Sequence, residues 1–122
     1  MAKRQLIARG DLDAGSLAST DQDNTELLPP VHPGEVLRHE FLDPLDLTAH
    51  ALALALRVPA NRITAILAGE RAVTADTALR LGRHFGTSAG FWLNLQKTYE
   101  LEVAEREAGA RIRAEVSPRE AA

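Results

Sequence analysis

Few side chains in this sequence could do chemistry, and three of those few fall within four residues. Asn61, Arg62 and Thr64 stand in RVPANRITAILAGER, residues 57–71. In the same stretch Ile63, Ile66 and Leu67 recur at helical spacing. At about 100° per residue, the face opposite that stripe carries Asn61, Thr64, Ala65 and Ala68, with Arg62 on its flank and Ala60 at its start. An Asn amide can bond N6 and N7 of adenine together, and a Thr can bond a base edge or pack on a thymine methyl. An Arg can reach guanine or phosphate, and a good bidentate pair is worth about 1–3 kcal/mol of base discrimination. Small Ala neighbours let such a helix approach a groove closely. The same trio would also suit an ordinary solvated helix face. Arg71, just past Gly69, and His50 are placed as candidate phosphate clamps.

Catalytic constellations are missing. The chain has no Cys, which removes disulfides, thiolate metal sites and Cys nucleophiles. His32, His39, His50 and His84 fall on different segments and match no H-E-x-x-H spacing. There is no Gly-rich phosphate loop and no nucleophile elbow. The four His read as surface side chains, and no enzymatic activity, metal or cofactor is expected.

Charge argues against nucleic acid at first sight, since 14 Lys+Arg face 17 Asp+Glu for a net −3. The excess lies at the ends. Residues 1–28 hold three basic and five acidic side chains and residues 101–122 four and five, whereas residues 29–100 hold seven of each. A neutral domain still binds phosphates if its Arg residues share a face.

These residues need helices to position them, and helix signals follow one another from Pro33. PGEVLRHEFLDPL has Pro in its first turn and Glu35 near the positive end of the dipole, and it should stop at Asp43, before Pro44. Thr48 is placed as the next N-cap, with Leu52 and Leu56 on one face and Leu54 roughly opposite. Arg57-Val58 is then the turn and Pro59 the first residue of the helix carrying Asn61, with Gly69 its C-terminal cap. Thr74 caps a fourth helix with Ala78, Leu81 and Phe85 inward, and Gly86 stops it. Ser88 caps a fifth, with Phe91, Leu95 and Tyr99 as its inward stripe. Trp92, the single tryptophan, then fits either the core beside Phe41 and Phe85 or a dimer seam with Leu93 and Leu95.

A chain of 122 residues is one domain with tails. Apolar residues make up 45% but aromatics only 4%, with Ala and Leu dominant, which favours small helices over a sheet. No apolar run approaches 18 residues and the N-terminus lacks a signal-peptide core, so a soluble, cytoplasmic protein without a membrane partner is expected. The expected organisation is a flexible acidic arm over 1–28, a DNA-binding and dimerisation domain over 29–102, and a C-terminal helical extension or tail over 103–122.

HPGEVLRHEFLDPL together with VPANRITAILAGERAVTADTALRLGRHFGTSAGFWLNLQ resembles the HigA family of type II antitoxins over about 70 residues. The blocks TADTALRL and FWLNLQ make the resemblance more specific than a bare helix-turn-helix. It implies an all-α, five-helix bundle of the lambda-repressor-like class. It also implies a homodimer that binds a palindromic double-stranded DNA operator, represses its own module and neutralises a RelE-like, HigB-type toxin. The sequence departs from the family pattern at PLDL and LRVP, where Asp46 and Arg57 stand in place of glycines. If those positions keep positive φ, Arg57 costs on the order of 1–2 kcal/mol. The second helix opens Ala49-His50, where the family often has Gln or Ser.

Two rivals stand beside the antitoxin reading: a stand-alone repressor of the same fold, and a helical interaction protein that has lost DNA binding. The net negative charge and Arg57 in the turn favour the latter.

Overall fold

The structure, a computed structural model, describes residues 28–120. The arm expected over 1–28 lies, apart from Leu28, outside the described residues. The first helix, α1, runs through three pieces: Pro33–Val36, a π-helical stretch Leu37–Leu42, and Asp43–Leu45. Backbone dihedrals at both junctions stay right-handed helical. Then come α2 (Ala49–Leu56), α3 (Ala60–Leu67), α4 (Ala75–Phe85) and α5 (Ala89–Glu115). No strand occurs among the described residues, and the all-α, five-helix reading holds.

Each of α2, α4 and α5 begins where an acceptor side chain can take an orphan backbone N–H. Thr48 Oγ1 accepts from Ala51 N at 3.0 Å, Thr74 Oγ1 from Thr77 N at 3.5 Å, and Ser88 Oγ from Phe91 N at 3.0 Å. Pro59 precedes α3 rather than opening it. Pro44 does not end α1, which continues to Leu45. In the π stretch the Asp43 N–H bonds to the Arg38 carbonyl, five residues back. That wider turn eases the i to i−4 ladder that proline cannot join.

Three helix ends close in the same way. Asp46 (φ 55°), Arg57 (φ 62°) and Gly69 (φ 79°) are left-handed. The residue after each donates to a carbonyl five positions back: Leu47 to Leu42 at 2.9 Å, Val58 to Ala53 at 3.0 Å, and Glu70 to Ala65 at 2.9 Å. These are Schellman closures, normally built on glycine. Both positions where the sequence departs from the family glycines do carry positive φ.

Leu37, Leu52, Ile63, Ile66, Leu81 and Trp92 are wholly buried. Phe41 packs on Phe85 and Trp92, with ring centroids 4.8 and 5.1 Å apart. The buried line of α5 is therefore Trp92–Gln96; of the expected Phe91–Leu95–Tyr99 stripe, Leu95 packs on the edge of the core and Tyr99 on the His32 ring. Phe91 is exposed, while Leu95 and Tyr99 are half-buried. Gln96 tolerates the core because Oε1 accepts the Val73 N–H at 2.9 Å and Nε2 donates to Glu100 at 2.8 Å. Past Glu102 only Val103, Ala108 and Gly109 of α5 escape full exposure, so its second half lies largely against solvent.

Candidate nucleic-acid interface

α2 and α3, joined through Arg57, Val58 and Pro59, form a helix-turn-helix whose second helix shows one polar, small-residue face. Ile63 and Ile66 are buried and Leu67 half-buried, whereas Asn61, Thr64 and Ala68 are exposed and Ala60 and Ala65 half-buried. The Thr64 hydroxyl makes only a long 3.4 Å bond to the Asn61 carbonyl, so both side chains are available to a ligand. Arg71 is exposed beyond the Gly69 closure, and His50 is exposed in the first turn of α2.

Arg62 points away from this face. Its Nη1 lies 2.7 Å from Asp76 Oδ2 and 3.4 Å from Thr77 Oγ1, and its side chain is 24% exposed. Asp76 Oδ2 also accepts from Arg80 Nε at 2.9 Å, and Arg80 Nη1 donates to the Leu56 carbonyl at 2.8 Å. One carboxylate thus ties α3 to α4, and Arg80 ties α4 to the end of α2. The bond from Arg80, then that from Arg62, holds the Asp76 carboxyl below the usual range. The i, i+4 spacing of Asp76 and Arg80 is a sequence signal for their pairing. Arg62 and Asp76, fourteen positions apart, give none.

His32 corrects the reading of all four His as surface groups. It is 7% exposed; Nδ1 accepts the Gly34 N–H at 2.9 Å, and the ring meets Tyr99 edge-on at 4.8 Å. Burial lowers its pKa, while Glu35 and a bond to the Arg71 backbone carbonyl oppose the shift. The neutral ring caps α1 and braces the loop that carries Arg71. His39, His50 and His84 are exposed.

Trp92 also departs from the dimer seam. It is wholly buried, and its Nε1 donates to Thr87 Oγ1 at 2.8 Å, which leaves no surface for a second copy. Leu93 and Leu95 are half-buried against the core. The exposed large apolar residues of α5 are Phe91 at its start and, further on, Leu101 and Ile112, at 64% and 47% exposure. Among the described residues no His, Asp and Glu cluster could hold a metal. No helix there is long and apolar enough to cross a membrane.

Fold and face together define a helix-turn-helix protein, and the helix-turn-helix family profile matches residues 39–92. Virulence-associated protein I of Dichelobacter nodosus is 54% identical over 80 residues, covering 66% of this chain and 74% of that one. Antitoxin HigA-1 of Vibrio cholerae is 39% identical over 72 residues, covering 59% and 68%. The antitoxin HigA of Pseudomonas aeruginosa, solved with the higBA promoter, superposes with a TM-score of 0.73 at 47% identity. That match takes in 75% of this chain and 99% of the other. The chain belongs to the HigA family of helix-turn-helix antitoxins.

Proposed function

We propose that the protein is the antitoxin and autorepressor of a type II toxin–antitoxin module. As a dimer it binds a palindromic operator, and it neutralises a RelE-like, HigB-type toxin. The observation that carries the DNA-binding part is the face of exposed Asn61, Thr64 and Ala68 with half-buried Ala65, on a helix otherwise buried through Ile63 and Ile66. It stands in a fold shared at 47% identity with a HigA solved on its promoter. Two such helices related by a dyad read half-sites about 34–36 Å apart. Base reading falls to Asn61 and Thr64, close approach to Ala60 and Ala65, and phosphate contact to Arg71 and His50. The dimer seam runs along α5 from Leu93 and Leu95 to the exposed Leu101 and Ile112. The acidic residues of 1–28 suit a basic RNA-cleaving toxin.

The test is binding of the full chain to a palindromic duplex from its own promoter and to a random duplex, across salt. Preference for the palindrome at two chains per duplex supports the DNA-binding part; equal affinity for both rejects it. Co-expression with the neighbouring gene product tests the rest. A small basic protein that co-purifies and loses its toxicity supports the antitoxin. A repressor that binds its operator but captures and neutralises no such product is the stand-alone regulator.

A further inference from the structure

Arg62 occupies the first turn of α3, where a groove-entering helix brings its side chains to DNA, yet it is held on α4. Exposed ion pairs ordinarily contribute little. This one joins two helices, and the Arg62 side chain is only 24% exposed. The seat is also imperfect. Arg62 Nε is, among the described residues, the one buried side-chain polar atom without a hydrogen-bond partner, a condition that costs stability. A phosphate would offer the guanidinium two acceptor oxygens in the fork geometry it matches best.

The two arginines on Asp76 are anchored unequally. Arg80 keeps the Leu56 carbonyl at 2.8 Å if the carboxylate is neutralised, whereas Arg62 keeps only Thr77 Oγ1 at 3.4 Å. Loss of the charge at position 76 therefore frees Arg62 selectively.

We propose that Asp76 is a positioning residue that limits the sequence-independent affinity of the DNA-binding face, resting on the function proposed above. By holding Arg62 on α4 it withholds a cation from DNA of arbitrary sequence and leaves recognition to Asn61 and Thr64. Phosphate contacts add affinity without sequence information, so a restrained Arg62 lowers the affinity for every duplex by the same factor.

Asp76→Asn, Arg62→Gln, the double variant and Glu70→Gln are compared by titration on operator and random duplexes across salt. Asp76→Asn should tighten random-duplex binding by about 3- to 10-fold near 0.1 M salt and steepen the salt slope by about one unit per protomer. Operator binding should tighten by a similar factor, leaving the operator-to-random ratio unchanged. Adding Arg62→Gln should return both readouts to the wild-type level, and Arg62→Gln alone should change random-duplex affinity by less than about twofold, because that arginine is already engaged. Glu70→Gln removes the same charge from an exposed site beside Arg71 without releasing Arg62, and should give a smaller gain. The inference is overturned if Asp76→Asn weakens both duplexes in parallel at unchanged slope, if its gain survives Arg62→Gln, or if Glu70→Gln matches it. Arg62→Gln alone decides the matter should Asp76→Asn not fold: weakened random-duplex binding would show Arg62 already on DNA. A wild-type chain that binds no duplex rejects the DNA-binding reading itself, a result separate from all of these.

Discussion

The backbones of Gly34 and Ile66 approach so closely that a methyl group on Gly34 would stand 2.0 Å from the Ile66 carbonyl oxygen and 3.0 Å from Leu67 Cα. The N-terminus of α1 is thus seated directly on the last turn of α3, the helix with the polar face. Backbone cannot yield there as the end of a flexible side chain can. Gly34→Ala should therefore destabilise by about 1–3 kcal/mol or more, roughly 4–8 °C of melting temperature per kcal/mol for a domain of this size. Gly90→Ala is the control, because its nearest neighbour is Ser88 Oγ at 3.8 Å. In the first turn of α5 it should gain up to about 0.5–1 kcal/mol. Equal melting temperatures for the two variants would show that α1 and α3 can part without cost.

Arg57 holds φ 62° where its helix closes, and Asp46 holds φ 55°. A side chain in that region costs about 1–2 kcal/mol, less for Asp, whose short polar group tolerates it. Glycine removes that strain but adds unfolded-state entropy of about 0.5–1 kcal/mol. Arg57→Gly should stabilise by up to about 1 kcal/mol, and by more than Asp46→Gly. Denaturant midpoints check the order. A lower midpoint for Arg57→Gly would mean that the Arg57 side chain makes an interaction stronger than the strain.

Local chemistry made the helices legible. Thr48, Thr74 and Ser88 are caps that need only their own next turn, and Gly69 and Gly86 are left-handed ends that glycine announces. The face of α3 was legible because Ile63 and Ile66 fix its rotation. The register of α5 was not, since the polar Gln96 disguised the buried line it shares with Trp92. Only the distant Val73 N–H, bonded to Gln96 at 2.9 Å, makes that polar group at home in the core. His32 and Arg62 escaped for the same reason. Their partners Tyr99, Arg71 and Asp76 are brought to them by packing, which no local spacing encodes.

His32 makes stability depend on pH, in a direction that follows from its lowered pKa. The unfolded chain takes up the proton near pH 6.5 and the folded chain only at lower pH. Between those values the unfolded state binds more protons, so stability is full above about pH 6.5 and is lost as pH falls through the folded pKa. Protonation would also remove the acceptor that caps Gly34 N at 2.9 Å. His32→Asn supplies a capping oxygen that does not titrate. Its melting temperature should change less than that of the wild type between about pH 7.5 and 5.5, a window spanning the unfolded-state pKa. Parallel profiles would assign the acid sensitivity to other groups.

Asn61 and Arg71 should fail in different ways when truncated, and the difference separates reading from clamping. Asn61 is exposed on the small-residue face of α3, whereas Arg71 lies past the Gly69 closure on a loop braced by the His32 ring. An amide can satisfy an adenine's donor and acceptor together, so Asn61→Ala should cost about 1–3 kcal/mol on the operator and almost nothing on a random duplex. A guanidinium on phosphate contributes to every sequence alike. Arg71→Ala should therefore weaken both duplexes in proportion and flatten the salt slope by about one unit for each phosphate it no longer neutralises. Because a dyad doubles each interaction, a dimer should show both effects twice over, and a mixed dimer with one altered protomer should fall midway. If Asn61→Ala left the operator-to-random ratio unchanged while Arg71→Ala lowered it, the roles would be reversed. Recognition would then lie in the loop after α3 and not on the helix face.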